Sequence, residues 1–336
     1  VDSVGHPHNI HGLLHLAFGD LAVNPAEDLF PPRPEQVLHV GLESLMLPNL
    51  AWLYSGNVHC PDDVARLLLE KRFPFYAILT TECLPGAEAA YPGEAGEFPA
   101  WSGPNVIHMT RRYALGTCAG QFYDGAISDS FHAVYRARES GGWTGSRSVF
   151  CRYFIGERIP REANVCNGKT YGPEMLRDEG RKFALQHRSA AVVAYHPKPY
   201  AAKRTSSMKL SVLFPLHFHR VESVWIGVRP AEECGFASAA PVPVYVKDGP
   251  VYFCFRPLAV TDLGRRAAVK AEERGRFLLI SFYNYEGSER TFDPEEAALI
   301  SNGFVVHMGS EEEDGDFEAF RRRAASGVLS DATRNE

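Results

Sequence analysis

Residues 105–138 read NVIHMTRRYALGTCAGQFYDGAISDSFHAVYRAR. Apolar and polar residues alternate in YALGT and in FHAVYR, and this period of two is typical of strands with one buried face. The stretch also concentrates side chains that exchange a proton or hold an anion. They are His108, Arg111, Arg112, Tyr113, Gln121, Tyr123, Asp124, Asp129, His132 and Tyr135. We therefore expect it to form strands and to carry the chemistry of the protein.

The chain beyond this stretch predicts strand and turn almost throughout. Asp248–Gly249 separates two β-rich runs, as a tight hairpin prefers, and Arg274–Gly275 separates two more. One short helix is predicted from Pro294 to Ile300, with Asp293 as its N-cap. About ten strands joined by short turns predict an antiparallel β-sandwich over residues 104–336.

Residues 1–103 predict helices instead. In HNIHGLLHLAFGDLAV, from His8 to Val23, apolar residues recur three and four apart, as on an amphipathic helix. Gly, Pro, Glu and Ala dominate residues 84–104, which predicts a long loop. We therefore predict an α+β chain, with a helical domain at 1–103, a sandwich domain at 104–336 and the boundary in this loop.

Composition narrows the class of partner. The chain has 35 Lys and Arg against 41 Asp and Glu, a net charge of −6, which disfavours nucleic acid and anionic membranes as partners. The seven cysteines form no Cys-x-x-Cys pair, which disfavours a structural zinc site or a disulfide scaffold. No apolar run reaches the roughly 20 residues of a membrane-spanning helix. The amino terminus does not indicate a cellular compartment.

A helical segment that leads through an aromatic loop into a large antiparallel sandwich resembles the uronate polysaccharide lyases of the heparinase and chondroitin-lyase type. The stretches YALGT, SDSFHAVYR and DEGRKFALQH are similar to such proteins. The resemblance is architectural and covers most of the chain. It implies an (α/α) toroid beside the sandwich, with the active site in the cleft between them. Residues 1–103 hold too few helices for a complete toroid, so either further helices lie upstream or on a second chain, or the fold is different.

The resemblance implies β-elimination, which removes the proton next to a carboxyl group and expels the glycosidic oxygen. Such a reaction needs a base, an acid and a group that neutralises the carboxylate. We predict Tyr123 and His132 as the proton-transfer pair, Gln121 and Arg112 as the groups that hold the carboxylate, and Tyr113 beside them. The predicted partner is an acidic, uronate-containing polysaccharide, and no cofactor is required.

Two further groups of residues suit a glycan site. Tyr91, Trp101 and Trp143 lie in Gly- and Pro-rich loops, where their rings are predicted to stack on sugars. His217 and His219 form His-x-His on a predicted strand, which would turn both rings to one side and allow them to bind a divalent metal. Two ligands do not complete such a site.

Two other functions fit the same residues. Paired carboxylates among Glu82, Asp124 and Asp129 would make the protein a glycoside hydrolase. A non-catalytic glycan-binding or structural subunit is the third hypothesis, because Tyr and His on a half-buried sheet often serve only in packing.

Overall fold

The computed structural model describes residues 72–80, 104–118, 131–138, 146–156, 180–197, 203–216, 219–275 and 277–327. Within them, strands account for 60% of the residues and helices for 13%. Every strand pairing is antiparallel, and the strands form two sheets.

The first sheet has nine strands within the described residues, in the order β1-β2-β3-β4-β5-β8-β15-β14-β11. Their bounds are β1 Phe75–Thr80, β2 Pro104–Met109, β3 Tyr113–Cys118, β4 Phe131–Arg136, β5 Ser146–Ile155, β8 Lys203–Pro215, β11 Ala237–Ser238, β14 Val269–Arg274 and β15 Phe277–Phe292.

The second sheet has seven strands in the described part of the chain, in the order β10-β9-β12-β13-β16-β7-β6. They are β6 Gly180–His187, β7 Ala190–Pro197, β9 Ser223–Ile226, β10 Arg229–Pro230, β12 Val244–Asp248, β13 Val251–Pro257 and β16 Asn302–Ser310. A 3₁₀ turn at Ala231–Cys234 and the helices α1 Pro294–Ala298, α2 Glu311–Asp314 and α3 Phe317–Ser326 complete the described elements.

The two sheets pack face to face across one aromatic core. Phe131 of the first sheet meets Phe304 of the second at 5.7 Å between ring centroids, and Phe214 meets Phe253 at 5.3 Å. These rings are fully buried. Because side chains alternate between the two faces of a strand, the residues beside them point away from this core. The fold is therefore sheet-rich and sandwich-like.

Helix α3 covers the outer face of the second sheet. Phe320 packs against Tyr252 at 5.6 Å between ring centroids, and the guanidinium of Arg321 lies 4.1 Å from the centre of the Trp225 ring. The helix begins at an N-cap, Asp316, whose carboxylate accepts a hydrogen bond from the amide of Ala319. Both faces of β13 are buried for this reason, which explains its continuous apolar sequence VYFCF.

The structure confirms the two hairpins and the helix N-cap that the sequence predicts. Strands β12 and β13 pair as far as Asp248 and Val251, so Gly249 and Pro250 form the turn between them, and Gly249 has a left-handed φ of 60° there. Strands β14 and β15 pair on either side of Gly275. Asp293 caps α1 by accepting the amide of Glu296.

The predicted α+β class with a partial toroid is wrong. Only three short α-helices occur in the described residues, all after residue 293, and no toroid is present there. Strand β1 lies within the predicted helical range 1–103 and pairs along its length with β2. Its sequence, FYAILT, is rich in aromatic and β-branched residues, which suit a strand. The domain boundary near residue 103 stays a prediction, since residues 81–103 lie outside the described ranges.

Within the described residues, no helix is both long enough and apolar enough to cross a bilayer.

Candidate functional site

The outer face of the first sheet carries polar side chains that are buried although they point away from the core. Strand pairing aligns them in two neighbouring rows on β5, β8, β15 and β14. One row is Arg152, Ser211, Ser281 and Lys270, and the other is Phe154, Lys209 and Tyr283. We call Arg152, Lys209, Ser211, Lys270, Glu272, Ser281 and Tyr283 the polar band.

Lys209 and Tyr283 form the centre of the polar band. The ammonium nitrogen of Lys209 donates to the hydroxyl of Tyr283 at 3.1 Å, and it lies 3.6 Å from a carboxylate oxygen of Glu272. Lys209 is 0% exposed and Tyr283 is 2% exposed. Burying an ammonium group is costly unless charges and hydrogen bonds compensate it, so such groups mark functional sites more often than surface charges do.

Two hydroxyl groups lie in the row beside this pair. The hydroxyls of Ser211 and Ser281 are 2.8 Å apart and both residues are fully buried. Arg152, 3% exposed, follows Ser211 in the row, and its guanidinium lies 4.8 Å from the centre of the Phe150 ring. Hydroxyl groups beside cations suit a ligand that carries both hydroxyl and carboxylate groups.

The polar band is bordered by an apolar cluster and opens toward β14. Around its β5 and β8 side lie the buried side chains of the second core cluster, Phe150, Phe154, Leu213, Phe277 and Leu279. On the other side, Lys270 keeps 27% of its side chain exposed in an ion pair with Glu286, and Glu272 keeps 33%. A ligand would therefore approach along β14.

His132 is the predicted site residue that lies on the same face as the polar band. It pairs with Phe150, two residues before Arg152 on β5, so the three side chains share one side of the sheet. His132 is 8% exposed.

Tyr113 lies on the opposite face. Its register partner on β4 is Tyr135, which packs in the core between the sheets. Its hydroxyl donates to Glu313 at 3.2 Å, and burial, followed by the charge of Glu313, raises its pKa well above the ordinary tyrosine range. The structure therefore does not bring Tyr113 and His132 together.

Arg112 lies at the turn between β2 and β3, where it forms an ion pair of 2.8 Å with Glu312. It is separated from His132 along the strands, because His132 pairs with Gly116, four residues beyond Arg112. Gln121 and Tyr123 lie outside the described ranges, as do Asp124, Asp129, Glu82, Tyr91, Trp101 and Trp143. Their predicted roles stay predictions.

His219, predicted as a metal ligand, belongs to a buried charged group at one end of the sandwich. Its Nε2 lies 3.5 Å from Asp248, which also accepts the hydroxyl of Tyr135 at 2.6 Å and pairs with Arg147 at 3.1 Å. Burial, followed by the charge of Arg147, lowers the pKa of His219. No group of three or more metal-ligand side chains occurs among the described residues, and His217 lies outside them.

Sequence reasoning missed Lys209, Arg152 and Tyr283. The available signal was alternation: in MKLSVL, from Met208 to Leu213, Lys209 and Ser211 interrupt an otherwise apolar strand with period two. In LLISFYNY, Ser281 and Tyr283 do the same. Polar residues at every second position of a long buried strand indicate a polar face opposite the core.

No protein-family model matches the chain, and its sequence has no significant match among curated proteins.

Proposed function

We propose that the protein is a polysaccharide lyase that acts by β-elimination on an acidic, uronate-containing glycan, and that the polar band is its reaction site. The two face-to-face sheets would form the β-sandwich of this enzyme. The observation that carries the proposal is the hydrogen bond of 3.1 Å between the Lys209 ammonium and the Tyr283 hydroxyl. It places a proton-transfer group next to a fixed positive charge on a buried face.

Tyr283 is the proposed proton-transfer residue. In β-elimination, a base takes the proton from the carbon next to the carboxyl group, a carbon–carbon double bond forms and the glycosidic bond breaks, and the leaving oxygen receives a proton. A tyrosine can act in both proton transfers. As base, Tyr283 reacts as its phenolate, whose negative charge the Lys209 ammonium stabilises; the phenol formed then gives this proton to the leaving oxygen.

Arg152 and the two serines are the proposed carboxylate and hydroxyl ligands. The guanidinium forks bidentately onto carboxylates, and Arg152 lies one register row from Lys209 on the same face. Neutralising the substrate carboxylate makes the adjacent proton more acidic, because the intermediate carries its charge on the carboxyl group. His132 lies on the same face, beside Phe150 on the neighbouring strand, and its predicted part in proton transfer stays a prediction.

The test is incubation of the purified protein with a panel of uronic-acid polymers while ultraviolet absorbance is followed. An unsaturated uronate product absorbs, whereas a hydrolysis product does not. We expect absorbance to rise with at least one polymer. Absence of both absorbance and reducing ends across the panel would overturn the proposal.

A hydrolase gives a different signal in the same assay. Glu272 belongs to the polar band and lies near Lys209, and Glu286 borders the band through its ion pair with Lys270. Release of reducing sugar without absorbance would assign the site to paired-carboxylate hydrolysis. The Glu272→Gln variant should then lose activity while Tyr283→Phe keeps it. Binding to a polymer without turnover would favour the glycan-binding subunit.

A further inference from the structure

A second group of basic and aromatic side chains lies where the edge of the first sheet meets the β6–β7 turn of the second. Four rings follow one another there. His108 is 6.0 Å from Tyr113 and 6.4 Å from Tyr76 between ring centroids, and Tyr76 is 6.1 Å from His187. We call His108, His187, Arg188 and Tyr76 the basic corner.

The charges of the basic corner are not balanced by acids. His108 has its pKa lowered by burial and then by the positive charges of Arg188 and His187, and no carboxylate contributes to that shift. Within the described part of the chain, neither Arg188 nor His187 forms an ion pair. Glu313, the acid that reaches the Tyr113 ring of this group, accepts a hydrogen bond from the Tyr113 hydroxyl.

His108 offers an unused polar atom at the same place. The residue is 4% exposed, and its Nδ1 is buried without a hydrogen-bond partner. Buried polar atoms are nearly always partnered, by protein, water or ligand. A ligand atom that accepts a hydrogen bond from this nitrogen would supply the missing partner.

Arg188 occupies a backbone position that favours glycine. Its φ is 51°, in the left-handed region, at the first residue of the β6–β7 turn. Gln186 holds this turn by donating to the carbonyl of Arg188 at 2.9 Å and to that of Leu115 at 3.0 Å. The backbone of Arg188 is thus held in a costly conformation next to His187, which is characteristic of functional positions.

We infer that the basic corner binds an oxyanion, a carboxylate or sulfate group, with Arg188 and His187 supplying positive charge, His108 supplying a donor and the half-exposed Tyr76 ring contacting the rest of the ligand. A bound anion favours the imidazolium form of His108 and so raises the pKa that burial lowers in the free protein. Affinity therefore rises as the pH falls. This inference does not rest on the proposed lyase activity.

The test is titration of the whole protein with sodium sulfate and, separately, with sodium glucuronate. Binding is monitored through the histidine ring resonances in NMR spectra. The His108→Gln and His187→Gln variants assign the two rings. We expect both resonances to shift and to reach a plateau as the anion is added. The affinity should fall about tenfold in Arg188→Gln. Tighter binding of sulfate assigns the corner to sulfate groups, and tighter binding of glucuronate assigns it to carboxylates on a ring.

Arg229→Gln is the matched control, since Arg229 is an exposed arginine on β10 at the far edge of the second sheet. It removes the same charge and should leave binding unchanged. Equal weakening in both arginine variants would show a diffuse charge effect and overturn the inference. So would resonances of His108 and His187 that do not respond to either anion.

Discussion

The ammonium nitrogen of Lys209 and the hydroxyl oxygen of Tyr283 lie 3.1 Å apart on adjacent strands, although 74 residues separate them in sequence. Both side chains are buried on the face of the first sheet that points away from the core. The proposed chemistry depends on this pair, because one residue transfers the proton and the other stabilises the charge.

Replacing Lys209 with methionine should lower kcat/KM for glycan cleavage about 100-fold, since it removes a fixed charge next to the reacting group. The fold should persist, because exchanging a buried ion for an apolar side chain of similar shape is often neutral in stability. Steady-state kinetics and a thermal unfolding curve measure both effects. Lys247→Met is the matched control: Lys247 pairs with Glu222 at the surface of the second sheet, and its loss should leave activity unchanged. Equal activity in parent and Lys209→Met would remove Lys209 from the mechanism.

Asp248 should contribute strongly to stability, because it joins Tyr135 and Arg147 of the first sheet to the second sheet in a buried setting. Asp248→Ala leaves the Arg147 charge buried without its carboxylate, and we expect a loss of about 3–5 kcal/mol in the free energy of unfolding by urea. Glu289→Ala breaks an exposed pair with Arg204 and should cost less than about 1 kcal/mol. Similar losses in the two variants would show that the buried pair has no special role.

The protein should become less stable as pH falls from about 7.5 to 5.5. His108, His219 and His307 all have lowered pKa values in the folded state, with burial as the largest cause and nearby arginines next. The unfolded chain, with an ordinary histidine pKa near 6.5, therefore binds more protons in this range than the folded chain does. The stability that the three neutral rings contribute is fully present above the unfolded-state pKa and is lost as the pH falls below it.

Urea unfolding at several pH values measures this dependence, which is at most about 1.4 kcal/mol per pH unit for each histidine. His108→Gln should flatten the curve relative to the parent. A stability that rises on acidification would contradict the burial of these rings in their neutral form.

Gly249→Ala should destabilise the hairpin by about 2–5 kcal/mol, combining left-handed strain with overpacking. Gly249 has φ 60°, and a Cβ there would overlap the carbonyl oxygen of Ala137 in the other sheet. Gly235 is a matched control, because its φ is 62° but a Cβ would meet nothing within 4 Å. Gly235→Ala should therefore show only the strain, about 1–2 kcal/mol. Equal losses in thermal or urea unfolding would mean that the close approach of the two sheets is unimportant.

The sequence allowed prediction of those features that local chemistry determines. The Asp248–Gly249 hairpin, the Asp293 cap and the alternation in β3 and β4 all follow from residues close together in the chain. The helical class failed at β1, where FYAILT carries strand-type residues of its own and pairs with a strand that begins 24 residues after it ends, a long-range contact that the helical pattern elsewhere in residues 1–103 does not indicate.

The candidate site depended on strand register, which the sequence does not display. Tyr113 and His132 both lie in the stretch 105–138, yet His132 pairs with Gly116, a residue of opposite parity to Tyr113, so the two face opposite ways. Lys209 and Tyr283 meet for the same kind of reason, through the pairing of β8 with β15.

The central claim is tested most directly by the initial rate of absorbance increase with Tyr283→Phe, measured beside Tyr252→Phe on the best polymer of the panel. Tyr252 is a similarly buried tyrosine on the outer face of the other sheet, packed on Phe317 and Phe320. We predict that Tyr283→Phe loses about 100- to 10,000-fold in kcat, the usual contribution of a proton-transfer group, while Tyr252→Phe keeps the parent rate. A folded Tyr283→Phe variant with the parent rate would contradict the account.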